Sequence, residues 1–370
     1  LYAVWKANED TAYKVEFYCE QTDGTYTLAK TEPRTGTTDA TVSVTDTDKG
    51  YGAPTYVYDS TNANNLESGT VAADGSLTLK LYFKRNTAEY TIHHYLKGTE
   101  VQVAPDQTGT MTIGDTLTAS ASTALGAEYT SAHANSYSPS QSLEMKATGN
   151  VITVYYTVPL TITAESASRA YNAQPLTQPD FKVEGLVNGD QKKDITLSMT
   201  KESTITNVGS VQNVIDTTTV RFKGGELPGG YYELPTYQPG TLTITPNTDE
   251  VTVTITGNHN TLVYNGSEQS VTGYTTDVGE KTITVALKEG SKAEAKGTNA
   301  GKYDMGLTED NFTVTSQNYS NIKVVVVDGY LKIDPITEKV TVTVTEKSDT
   351  VTYNGQEHSV TGYKSMTADN

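Results

Sequence analysis

Hydrophobic and polar residues alternate with a period of two over much of this chain. Val251, Val253 and Ile255 are interleaved with Thr252, Thr254 and Thr256, the pattern of a strand with one face buried and the other in water. The same alternation opens the segments YKVEFYC at 13 and YTIHHYL at 90, and closes LTLKLYFK at 84 and VITVYYT at 157. No stretch sustains a helical period; SKAEAKG at 291–297 and PSQSLEMKATG at 139–149 are each expected to hold one short turn at most. Asn265-Gly266 and Asn354-Gly355 offer the positive φ of tight turns and predict hairpins between their flanking runs. Pro246 and Pro335 follow strands, where the missing amide donor stops pairing and stiffens the link.

The pattern also repeats at long range. Residues 251–274 and 340–363 share 15 identities over 24 aligned positions at an offset of 89. Residues 160–246 and 251–335 each carry a Tyr-Asn turn and close on G-x-L-x-I-x-P. Tyr13, Val15, Phe17, Tyr18 and Cys19 align with Tyr90, Ile92, His94, Tyr95 and Leu96. The chain therefore divides into 1–8, the end of an upstream repeat; 9–86 and 87–158, one module type; 159–247 and 248–336, a second type; and 337–370, a partial copy of the second. Residues 338–370 lack closing strands and are expected to be poorly ordered or packed against 251–335. Both ends look cut. Each module carries its own start and stop signals, so each is expected to bury its own small core. The fold class is all-β with minor helix, an elongated tandem array of small β-sandwich or β-grasp-like modules.

Composition supports this reading. Of 370 residues only 35% are hydrophobic, with one Trp and 25 Tyr, enough for several small cores and too little for one large one. A net charge of -17 repels phosphate backbones and anionic lipid, so neither nucleic acid nor membrane contact is expected. The single Cys19 excludes an intrachain disulfide framework. The segment is expected to be a monomer.

The motifs point to families. YTIHHYLKGTEVQVAP with GNVITVYYT resembles a MucBP-type mucin-binding repeat, and residues 13–84 resemble a diverged copy. LTITAESASRAYNAQPL with GTLTITP, and VTVTITGN with YNGSEQSVTGY and GYLKIDP, resemble MBG-type repeats. LYAVW is similar to the last strand of an internalin-type B-repeat. Departures are His94, where the MucBP pattern has an aromatic residue, and Ala173, which replaces the turn glycine. The resemblance implies an extracellular adhesin array on the cell wall of a Gram-positive bacterium, with host mucin or other glycans as partners.

Candidate chemistry is sparse. Tyr231, Tyr232 and Tyr237, in GGELPGGYYELPTYQPG at 224–240, form the candidate ligand site. Exposed, they would stack on sugar rings; alternatively YYEL is a strand whose tyrosines pack inward. Cys19 falls on the core face of its strand, where a thiol is inert. His93 and His94 are adjacent on a strand, so they point to opposite faces and cannot share a metal. DTDKGYG at 46–52 faintly resembles a calcium loop, but no acid closes the shell, and a turn fits better. Lys14 and Asn86 can be nominated for an isopeptide crosslink, although alternation places Lys14 on the polar face. No hydrolase, metalloprotease or phosphate-loop motif is present, so no enzyme, catalytic residue, metal or cofactor is expected. The expected function is a stalk or adhesion segment of a surface protein. The alternatives are a spacer of a secreted carbohydrate-active enzyme and a glycan-binding module.

Overall fold

The computed structural model describes residues 2–225, 230–279 and 281–369. It is nearly all β, and the described residues contain one α-helical turn, Asp46–Lys49. The chain divides into two compact units. The first comprises Leu1–Glu165, Gln178–Glu202 and Asn213–Gly240; the second comprises Ser166–Thr177, Ser203–Gln212 and Thr241–Asn370.

The first unit begins with a four-stranded sheet ordered Tyr26–Gly36, Thr11–Glu20, Thr78–Arg85, Tyr56–Tyr58. Strand Thr11–Glu20 runs antiparallel to its hairpin partner but parallel to Thr78–Arg85. Alternation decides which face is buried: Val15, Phe17, Cys19, Leu79, Leu81 and Phe83 form the core, while Lys14 is exposed. A second sheet is ordered His133–Ser138, Asn150–Thr157, Thr87–Leu96, Gln107–Thr112, and its opening and closing strands are again parallel. Only Asn86 separates strands Thr78–Arg85 and Thr87–Leu96, and Arg85 ties the two sheets by bonding Ile113 O and Asp115. A third sheet sets Thr161–Ala164 antiparallel to Phe181–Glu184 and parallel to Thr236–Gln238.

One expectation fails in this unit. Ile92, Leu96, Ile152 and Val154 belong to the same apolar cluster as Leu160, Ile162, Phe181 and Tyr232, so the core does not stop at Pro159. The reason is local: Val158 N–H donates to Tyr231 O and Glu233 N–H to Val158 O, and past the proline Thr236 N–H donates to Leu160 O, which keeps the chain in strand pairing on both sides of the proline. A connection of this kind leaves no solvent layer to divide the cores.

In the second unit, Gly240–Thr245 lies between Ala167–Ala170, parallel to it, and Gly209–Asn213. Further along, Val251–Gly257 pairs in parallel with Ile322–Val327 and antiparallel with Tyr274–Asp277. His259–Val263 continues in parallel with Tyr330–Asp334. These paired strands bend together and serve two small cores, one around Val253, Ile255, Leu307 and Phe312 and one around Ala295, Leu331 and Ile333. Gly329 sits at the bend. A Cβ there would lie 2.4 Å from Asn258 O, and at its counterpart Gly240 it would lie 2.5 Å from Glu165 O. Close approach of two backbones, with no positive φ, therefore explains the glycine of G-x-L-x-I-x-P.

Asn265-Gly266 does not make a hairpin. His259–Val263 pairs with Tyr330–Asp334, and Gln269–Thr272 pairs with Glu294–Gly297. Gly266 alone takes positive φ, 80°, and Asn265 Oδ1 accepts from Ser267 N–H. This side-chain-capped turn passes the chain from one sheet to another, because a type I′ hairpin needs positive φ at both central residues. The segments expected to hold helical turns contain strands Glu294–Gly297 and Ser142–Glu144 instead.

Residues 337–369 are neither packed on 251–335 nor formless. Thr341–Glu346 pairs antiparallel with Tyr363–Asp369, and every residue of both strands is exposed. Glu346 faces Tyr363 just as Gly257 faces Tyr274 in the longer copy, yet beyond a bulge Thr343 faces Thr367, one residue out of the register that Thr254 and Asp277 define. A ribbon with no buried face has little to hold its register.

Candidate functional site

Two of the three candidate tyrosines, Tyr231 and Tyr232, converge on one carboxylate, while Tyr237 lies beside Ile162 in the third sheet. Val187 N–H donates to the Tyr232 hydroxyl, which donates to Asp190 Oδ2 at 2.9 Å. Tyr231 O–H donates to the same oxygen, and Lys223 Nζ bonds Oδ1. Tyr232 is 2% exposed and its ring meets Phe222 edge-on at 5.6 Å. Burial would raise the Asp190 carboxyl; hydrogen bonds from Lys223, Tyr231 and Tyr232 outweigh it and hold the group below its ordinary range. Burial pushes the Tyr232 phenol far up, and raises Tyr231 and Tyr237 as well. Tyr232 thus has no face to offer a sugar, and Tyr231 and Tyr237 are half-buried. YYEL turns its tyrosines inward because their hydroxyls complete a buried acid. Part of the tyrosine-bearing stretch, residues 226–229, lies outside the described residues.

The remaining candidates separate in space. Cys19 is buried, and burial raises its thiol. His94 is fully buried, with Nδ1 3.0 Å from the Tyr156 hydroxyl and Nε2 without a partner. His93 faces the other way, its Nδ1 2.9 Å from Asp106 Oδ2 but out of line for a hydrogen bond. Lys14 pairs with Glu16 at 2.6 Å, while Asn86 Nδ2 donates to Pro54 O, so the two nominated crosslink partners are engaged elsewhere. Asp48 is no calcium ligand. It is 5% exposed, bonds both Nη atoms of Arg34 and caps its own helical turn through Thr45 N–H. The Arg34 guanidinium, outweighing burial, holds the Asp48 carboxyl down at about 2. The turn expected over 46–52 is thus a helical turn, and its sequence signal was the capping box Thr45-x-x-Asp48. Among the described residues, no group of three His, Cys, Asp or Glu side chains could hold a metal ion.

Sequence reasoning also missed the outward faces of the two four-stranded sheets. Tyr18 faces Tyr82, and Tyr95 faces Tyr155, each pair joining an opening strand to its parallel closing strand. All four rings are half-buried on the face away from the core. The signal was visible in the aligned openings YKVEFYC and YTIHHYL, which both put tyrosine where alternation calls for a polar residue.

No family model matches the chain, and no curated protein matches it. Among solved structures it is similar to the type 2 repeat of the mucus binding protein MUB from Lactobacillus reuteri. That similarity is at 15% identity and a TM-score of 0.15, covering 40% of this chain and 98% of that one. A likeness of this size fixes neither fold nor ligand.

Proposed function

We propose that this chain is a stalk or adhesion segment of a cell-wall-anchored surface protein of a Gram-positive bacterium, built from the modules 9–86, 87–158, 159–247 and 248–336, and that it touches host mucin or other glycans. The observation that carries the reading is the recurrent parallel pairing of opening and closing strands, found at Thr11–Glu20 with Thr78–Arg85, Thr87–Leu96 with Asn150–Thr157, Thr161–Ala164 with Thr236–Gln238, and Val251–Gly257 with Ile322–Val327. A chain whose last strand runs parallel to its first enters a module at one end and leaves at the other, so each added module adds length. An antiparallel closure would return it to its starting point.

The experiment is small-angle scattering of the purified chain. A monomer of this length folded as one compact body has a radius of gyration of about 21 Å. The proposal expects a value well above that, with a maximum dimension of roughly 120 Å. A compact value would overturn it.

A further inference from the structure

The two outward tyrosine rungs differ in one respect. In the first sheet, Tyr18 and Tyr82 stack at 4.8 Å with an interplanar angle of 8°. Tyr26, which faces Glu20 across the hairpin, sets its ring edge-on against Tyr82 at 5.3 Å and points its hydroxyl to Asp59 Oδ2 at 3.3 Å. Three residues thus make a closed group of rings on the sheet surface.

The counterparts in the second sheet follow from strand pairing. Tyr95 faces Tyr155. Leu96 N–H donates to Val101 O and Tyr95 bridges Gln102, so Glu100 stands across from Lys97 where Tyr26 stands across from Glu20. Ser136 faces Tyr155, the place taken by Asp59, whose N–H donates to Tyr82 O. Tyr95 stacks on His93 instead of Tyr155, at 5.4 Å and 16°. The result is a groove of about 520 Å³ lined by Lys97, Gly98, Thr99, Glu100, Ser136 and Tyr155.

We infer that this groove receives the phenol ring of a tyrosine side chain presented by a partner polypeptide. The occupant is read from the first sheet, where a slot bounded by the same positions is filled by the chain's own Tyr26. The Tyr155 ring provides an aromatic wall of the kind Tyr82 provides, and edge-to-face packing is favourable there. Ser136, which lines the groove, takes the strand position of Asp59, the partner of the Tyr26 phenol. Lys97 is held by Asn135 Oδ1 at 2.8 Å, which lays its apolar stem beside the groove and keeps the charge at the rim. In the second sheet a glutamate ends a shorter hairpin connection where the first sheet has the ring-bearing residue, and the edge strand resumes only at Gln107–Thr112, which leaves the slot open. The inference goes beyond the proposed function, adding a polypeptide partner to the glycan contact proposed there. Its failure would leave the scattering result, and hence the stalk, untouched.

The test is saturation-transfer NMR on the full 370-residue chain, with N-acetyl-tyrosinamide as probe and N-acetyl-leucinamide and methyl β-galactopyranoside as the other arms. Transfer to the tyrosine probe is expected, with little to leucine. Glu100→Tyr, which supplies the ring in cis, should weaken that transfer about tenfold and raise the thermal midpoint. Tyr155→Ala should weaken it equally, so the outcome does not hang on one variant. No transfer to the tyrosine probe, equal transfer to leucinamide, stronger transfer to the galactoside, or transfer that survives both substitutions would each overturn the inference.

Discussion

His94 shows how one residue can limit a module. It stands where the first sheet has Phe17, in the buried face of its strand, with a ring nitrogen that no group satisfies. Burial lowers its pKa, a nearby Asp106 opposes the shift and His93 adds to it. Because the folded value lies below the unfolded value of about 6.5, the unfolded chain binds the proton more tightly. Stability is fully present above that value and falls as pH drops through it toward the folded pKa. Thermal unfolding followed at about pH 7.5 and pH 5 should show this loss for the natural protein, and His94→Phe should remove most of it and gain about 1 kcal/mol at the lower pH. Ala173 is the second such residue. It holds φ at 63°, a conformation in which a Cβ is strained, at the position where the other copies have glycine. Ala173→Gly is expected to stabilise the protein by about 0.5–1 kcal/mol in urea titrations. Arg34→Ala should do the opposite, costing about 3 kcal/mol by the same measurement, because it strands the buried Asp48 carboxylate.

At the scale of elements, the strands were largely legible and their partners were not. Period-two alternation identified Val251, Val253 and Ile255 as a buried face, and they are buried. It could not tell that the strand at His259 pairs with one 71 residues away, because pairing between distant strands leaves no local mark. The repeated Gly240 and Gly329 were visible as a motif, but only the structure shows the opposing backbone that excludes a side chain. Gly329→Ala is therefore expected to cost about 1–3 kcal/mol, read as a shift of the urea midpoint. The exposed ribbon of Thr341–Glu346 and Tyr363–Asp369 makes a contrasting prediction. Two strands without a covered face are marginal in water, so their amides should exchange with solvent far faster than those of Val253 and Ile255 in hydrogen-exchange measurements.

For the whole molecule, the division of the core matters more than the number of repeats. The apolar cluster shared by Ile152 and Ile162 joins segments that the repeat pattern separates at Pro159. Ile162→Ala should cost about 2–5 kcal/mol and speed hydrogen exchange in strands Thr87–Leu96 and Asn150–Thr157, while leaving the Val253 and Ile255 amides unchanged. Protection that changes only within residues 159–240 would show that the cluster has no energetic continuity. The candidate site was partly legible in the same sense. The tyrosines at 231, 232 and 237 were conspicuous by composition, but whether a tyrosine faces water depends on a buried partner such as Asp190, and that aspartate lies 42 residues from Tyr232 in sequence.

The amino-acid sequence by itself determined that the chain is made of strands, which face of most strands is apolar, and that the strands recur in copies. Each of these follows from contacts and conformational limits within a few residues. Tertiary structure alone decided that opening and closing strands run in parallel, that one core passes through Pro159, and that a groove borders Tyr155 while a ring covers Tyr82. Those outcomes depend on groups brought together from distant parts of the chain, where burial and close approach are settled by packing.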